Sequence, residues 1–366
     1  MAWTERYVRT DAAGGGDGTT NTNSGANGAW TLAEAIANVA AGQRVNVKSG
    51  TYALSSAITF AVAGTSTTPI WWRGFSSTIG DLDTETDHTL FPWFDMTGAS
   101  VFLTVSGAFN WISNIRLTAD NTASLSAAIN WTGADGRCFH NHVTGEAADI
   151  DGHAISLANT SDRTMVFCNS FFATTTATAC FELVSSAALP LVFSNYISGG
   201  NIGASIASTC TFRGNIITGC SAQGINLTVG AVAIEGNTFH STGGPGIRIT
   251  TGVRGVAVAN NIFSDVATYA VSHADTDSST LVTNNAYWDI TTAQLENIDE
   301  QFNAITCSAS PFVNAGSGDF TPTSEVKSLG IPPRIGIAGP LNFTDIGAIQ
   351  AQSASSGGKR ITSFIG

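Results

Sequence analysis

Seven short segments of the chain share one pattern: apolar, any, any, Asn, any, apolar. They are Cys138–Val143, Val166–Phe171, Val192–Ile197, Phe212–Ile217, Ile234–Phe239, Val258–Phe263 and Val282–Tyr287. Their asparagines, Asn141, Asn169, Asn195, Asn215, Asn237, Asn261 and Asn285, are 28, 26, 20, 22, 24 and 24 residues apart. No other feature constrains the fold as much. A unit this short cannot close a core alone, so each copy must stack on its neighbours.

Inside one unit, Val232, Ile234 and Gly236 alternate with Ala233 and Glu235, and the next unit places Val256, Val258 and Asn260 on the matching side. A period of two sends one set of side chains inward and the other outward. A second short strand follows the late asparagines, as in Gly224–Leu227 and Gly246–Ile249. The connecting residues are Gly, Ser, Thr and Asn, which favour turns. No helical period runs through the region. The expectation is an all-β, single-stranded parallel β-helix with two or three short strands per turn. At a repeated corner, each asparagine amide can donate to one turn and accept from another, satisfying polar groups where the ladder bends. A structural ladder is therefore the expected role of these asparagines, in preference to ligand binding.

Composition narrows the partners. Net charge is −12 and the pI about 4.7, with no basic run, which argues against nucleic acid and anionic membranes. Hydrophobic residues make up 43% of the chain, too many for a disordered one. Met1–Tyr7 lacks the apolar core of a signal peptide, and no apolar run is long enough to span a membrane. The six cysteines form no CxxC pair and no zinc spacing. Cys138, Cys168 and Cys210 are expected to point inward as reduced thiols, and no cofactor or metal is expected.

Three regions follow. Residues 1–60 hold a strand at Tyr7–Arg9, a Gly/Asn/Thr loop and a helix whose Leu32, Ala35, Ile36 and Val39 share a face. Thr31 and Glu34 form a capping box. This helix is expected to plug the first turn, which otherwise exposes core and strand edges. Residues 61–350 form the coil with its closing segment, and 351–366 a Ser/Gly-rich tail.

The run Tyr7–Val8, Gly16–Thr19, Thr31–Leu32, Ala35–Ile36 and Val45–Tyr52 resembles the start of right-handed parallel β-helix proteins. Gly64–Thr65, Pro69–Ile70 and Arg73 continue the likeness. Ser310–Asn314, Gly318–Phe320 and Asp345–Ala348 resemble the closing segment of the same superfamily. It includes pectate-lyase-like and chondroitinase-B-like enzymes and many phage spike proteins. The resemblance implies a right-handed coil with a short N-terminal capping helix, and one fold that hosts many functions.

Lyases of this kind need a base and a group that neutralises a sugar carboxylate. The only lysines are Lys48, Lys327 and Lys359, so a lysine base on the central turns is excluded. Arg116, Arg137, Arg163, Arg213, Arg248 and Arg254 remain. The best catalytic candidates are Asp149, Asp151 and His153, which share one face of an extended strand, together with Arg163 of a neighbouring turn. Two carboxylates about 6.5–9.5 Å apart can run inverting glycoside hydrolysis. The same segment also matches the acid-free slots at Gly224–Ile225 and Gly246–Ile247, which makes it an ordinary turn in the competing reading.

Phe139, Phe167 and Phe193 occupy one outward slot on consecutive turns, with Met165 and Leu191 two residues before the latter two. Such a column marks an interface or a glycan platform. A segment of the chain itself, a symmetric partner or a stacked sugar would cover it. The likeness to phage proteins and the missing signal peptide lead to an expectation of a virion structural protein, a head-decoration or spike component made in the host cytoplasm. It would act as a homo-oligomer, a trimer by resemblance, with other virion proteins and surface polysaccharide as partners. The alternative is an extracellular polysaccharide lyase or glycoside hydrolase acting on acidic polysaccharide.

Overall fold

A computed structural model describes residues 2–97, 103–120, 127–145, 153–158, 161–173, 177–184, 189–276, 279–299 and 301–326. Among these residues the chain winds through three parallel sheets. Sheet A runs from Thr4–Val8 to Gln301–Phe302, sheet B from Thr51–Ala53 to Ile305–Thr306, and sheet C from Ile58–Phe60 to Ala293–Glu296. One coil visits them in turn: Thr211–Arg213 in A, Ile216–Cys220 in B, Gln223–Leu227 in C, then Ala233–Glu235 back in A.

The inward rows explain why each coil stays in register. Phe212 pairs with Ile234, Ile217 with Phe239 and Ile225 with Ile247, and all six are fully buried. A slip of one residue would turn every such side chain to solvent. The sheet A–B corner is made in two residues. The first has a left-handed backbone (Cys168 φ 56°, Ser194 φ 57°, Gly214 φ 63°), and the second is the repeated asparagine. Cys168 is this corner residue and is exposed, which corrects the expectation that it points inward. Cys138 and Cys210 are buried.

The asparagines form a continuous buried column. Asn237 Oδ1 accepts from the backbone N–H of Asn215 at 2.9 Å and from its side-chain amide at 3.1 Å. Asn237 Nδ2 donates back to Phe212 O at 3.0 Å and on to Asn261 Oδ1 at 3.1 Å. The same pattern links Asn141, Asn169 and Asn195 below and Asn285 above. The column starts at Ile115, whose N–H donates to Asn141 Oδ1 at 3.1 Å.

At the N-terminal end, helix α1 (Leu32–Asn38) is held by its capping box. Thr31 N–H donates to Glu34 Oε2 at 2.8 Å, and Glu34 N–H donates to Thr31 Oγ1 at 3.2 Å. Leu32, Ala35 and Val39 join the same core as Val45 and Val47, so the helix seals the first coil. At the other end an antiparallel hairpin, Phe312–Asn314 with Asp319–Pro322, folds back over the outer face of sheet B. Phe312 and Phe320 bury there with Ile262 and Ala286, packed by Tyr196, Ile216 and Trp288. The predicted closing residues 345–348 and the tail 351–366 lie outside the described residues. Among those described, no helix is long and apolar enough to cross a membrane.

Candidate functional site

The three outer faces differ in what they offer. Late strands of sheet B lie beneath the hairpin. Its early strands lie beside the segment before Phe91, where His88 stacks on His142 at 4.3 Å and Phe91 meets His140 edge-on at 5.4 Å. Asp83 of that segment pairs with the buried Arg73 and accepts from Asn114 Nδ2 at 2.8 Å. The histidines there are affected by their surroundings. Burial, with His88 and Arg116 nearby, lowers His142 to about 4, and burial also lowers His88.

Sheet A carries an aromatic stripe. Phe139, Phe167 and Phe193 stack in parallel at 5.0 and 4.9 Å, each half-buried by its neighbours. Met165 and Leu191 form the adjacent row, with Leu191 38% exposed. The stripe continues into Trp71 and Trp111, and Arg137 lies over the Trp111 ring at 4.2 Å. Arg44 and Arg73 flank Trp71 at 5.3 and 4.8 Å, so these cations are already engaged with rings.

Sheet C presents a different row. Register places Asn130, Ser156, Glu182, Ser205, Asn226, Arg248, Ser272 and Glu296 one above another. Their inward neighbours, from Ile155 and Phe181 to Ile225 and Ile247, are fully buried, which fixes this row outward. No other strand or helix packs across it among the described residues.

His153 opens one strand of this sheet. Its Nδ1 lies 3.0 Å from Ala179 O and its Nε2 lies 3.2 Å from Glu182 Oε2. Ser156 Oγ donates to the same Glu182 oxygen at 2.6 Å. The contact with His153, supported by Ser156, holds the Glu182 carboxyl below its ordinary range despite burial. The predicted histidine thus meets an acid of the next coil. Its proposed companions Asp149 and Asp151 lie outside the described residues. Arg163 sits past the far end of the His153–Leu157 strand and pairs with Asp135 at 2.6 Å, away from His153.

A second constellation copies the first. Ser272 Oγ donates to Glu296 Oε2, and half-exposed Tyr269 precedes Ser272 by the interval that separates His153 from Ser156. Between the two constellations stands Arg248. It is exposed and has no hydrogen-bond, ion-pair or ring partner among the described residues. Of the other mid-chain arginines, Arg254 pairs with Asp275 at 3.0 Å, Arg163 with Asp135, and Arg116 and Arg137 lie over Trp93 and Trp111, while half-buried Arg213, on sheet A, also has no side-chain partner among the described residues. Sequence reasoning named Arg248 only as one of six and missed Glu182, Glu296 and Tyr269. The signal was present, since Ser156 and Glu182 are one coil apart, as are Ser272 and Glu296.

The geometry limits the chemistry. Glu182 and Glu296 stand five strands apart, about 24 Å at a ladder spacing of about 4.8 Å, too far to act as a hydrolytic pair. What the face does offer, among the described residues, is one free cation beside a hydroxyl-bearing strand.

A family model described as the right handed beta helix region matches residues 127–309. No curated protein matches the chain. Among solved structures, pectate lyase Pel9A aligns with TM-score 0.57 and 13% identity, over 96% of this chain and 98% of that one. An alginate lyase from Paenibacillus sp. str. FPU-7 aligns with TM-score 0.54 and 13% identity, over 75% of this chain and 95% of that one. These likenesses are of fold. They nevertheless correct the expectation of a virion structural protein, because these two solved chains that share the coil are polysaccharide lyases. The enzyme alternative is the reading they favour. The scarcity of lysine excluded only a lysine-based site.

Proposed function

The chain belongs to the right-handed β-helix family, and from that premise we propose that it is a polysaccharide lyase. It cleaves an acidic polysaccharide laid along the sheet C row, by β-elimination at a uronate. The observation that carries this reading is the unpaired, exposed Arg248 on a polar face. The solved pectate and alginate lyases of the same fold support it.

Elimination needs the sugar carboxylate neutralised, so that the adjacent proton becomes removable, and a group to move that proton. Arg248 receives the carboxylate. Tyr269 begins the neighbouring strand, whose Ser272 pairs in register with Arg248. Its phenolic oxygen takes the C5 proton. The electrons of that C–H bond form the C4–C5 double bond, the C4–O bond breaks, and the proton returns to the departing oxygen. His153 has both ring nitrogens engaged and lies four strands from Arg248, so it serves a remote sugar.

Incubation with a panel of acidic polysaccharides tests the proposal. The expected result is ultraviolet absorbance from an unsaturated uronate, one per cut, lost in Arg248→Ala. New reducing ends without that absorbance would mean hydrolysis and overturn the elimination. Intact polymer across the panel would overturn the enzyme reading altogether.

A further inference from the structure

Resting on the elimination reading, we infer that the substrate is a heteropolysaccharide in which at least three neutral sugars separate one uronate from the next. The inference comes from where charge stands on sheet C. Among the described residues of the outward row, Arg248 is the one cation, and the only carboxylates are Glu296, two strands on, and Glu182, three strands back. The strands between carry Ser272 on one side and Asn226 and Ser205 on the other.

A sugar unit is about as long as one rung of the ladder, so a polymer lying along the row sets one sugar over each strand. With a uronate on Arg248, a homopolyuronate brings carboxylates onto both Glu296 and Glu182. A polymer with a uronate at every second sugar still meets Glu296, and one with a uronate at every third meets Glu182. Spacing by four is the shortest that avoids both, in either chain direction. Like charges in contact repel, and here Arg248 can neutralise only one of them. The two glutamates also suit neutral sugars. Each has one oxygen satisfied by a serine, Glu182 by Ser156 and Glu296 by Ser272, and keeps its other oxygen to accept sugar hydroxyls.

Affinity electrophoresis of the full chain tests this with three polymers: a homopolyuronate, an alternating uronate–neutral polymer, and one with a single uronate per tetrasaccharide repeat. The third should bind at least about tenfold more tightly than either of the others. Glu296→Gln should admit the alternating polymer, while the homopolyuronate should need Glu182→Gln as well. Equal or tighter binding of the homopolyuronate by the unaltered chain would overturn the inference, as would Glu296→Gln leaving the alternating polymer unbound. Binding in the expected order without unsaturated product would uphold the charge spacing and remove the elimination. Product forming fastest from homopolyuronate would do the reverse.

Discussion

His153 Nε2 and Glu182 Oε2 meet at 3.2 Å across one rung of sheet C, and neither residue's own coil supplies the partner. The contact joins two turns through their outward side chains. Glu182 is the acid whose ionised form this contact favours.

Replacing Glu182 by Gln should therefore have a pH signature. A carboxylate whose folded pKa is lowered contributes stability that is complete above its unfolded value, near 4.5, and is lost as pH falls through the lower folded value. Denaturant unfolding should show the wild type more stable than Glu182→Gln at pH 7. The two should converge in acid below pH 4.5. A gap that does not depend on pH would show that the carboxylate's charge is not what matters.

Arg248→Ala should lower kcat/KM by about 10²–10³, the cost of removing one donor at developing charge. Its side chain is exposed and unpaired, so thermal unfolding should shift within about 0.5 kcal/mol. A calorimetric scan beside the rate measurement separates a lost function from a lost fold.

Asn237→Ala should destabilise the coil by about 2–4 kcal/mol, because it leaves buried donors on Asn215 and a carbonyl on Phe212 without partners. Urea titration monitored by circular dichroism reads this directly. An unchanged midpoint would mean that water or a neighbour replaces the amide.

Acid should loosen the early sheet B face. His142 is lowered to about 4 by burial, then by His88 and Arg116, and burial also lowers His88 and His140. The folded form thus holds these rings neutral while the unfolded chain protonates near 6.5. Between pH 6.5 and about 4 the unfolded state binds more protons, so stability falls as pH falls through that window. His142→Gln should flatten the dependence when midpoints are measured across it.

The coil was legible because its signal repeats. Seven copies of one asparagine at one corner cannot arise from chance alternation, and the Thr31–Glu34 box marks its helix locally. The outward row of sheet C was harder to read. Ser156 and Glu182 become neighbours only when one coil is laid over the next, and coil lengths vary from 20 to 28 residues. A search along one strand therefore found Asp149, Asp151 and His153 together and overlooked the acid overhead. The virion reading failed for a related reason. It rested on a likeness of fold and on the chain's first residues, neither of which says what one outward row of side chains carries.

The buried amides have a direction. From Asn141 to Asn261 each side-chain amide gives one N–H to the asparagine oxygen of the next coil toward the C-terminus, and from Asn141 to Asn285 every side-chain oxygen faces the plugged end. Aligned amides polarise one another. The rod thus carries an internal electrical axis, negative toward its helix-capped tip and positive at the opposite tip. An ion near either tip would sense which end of the molecule it had reached.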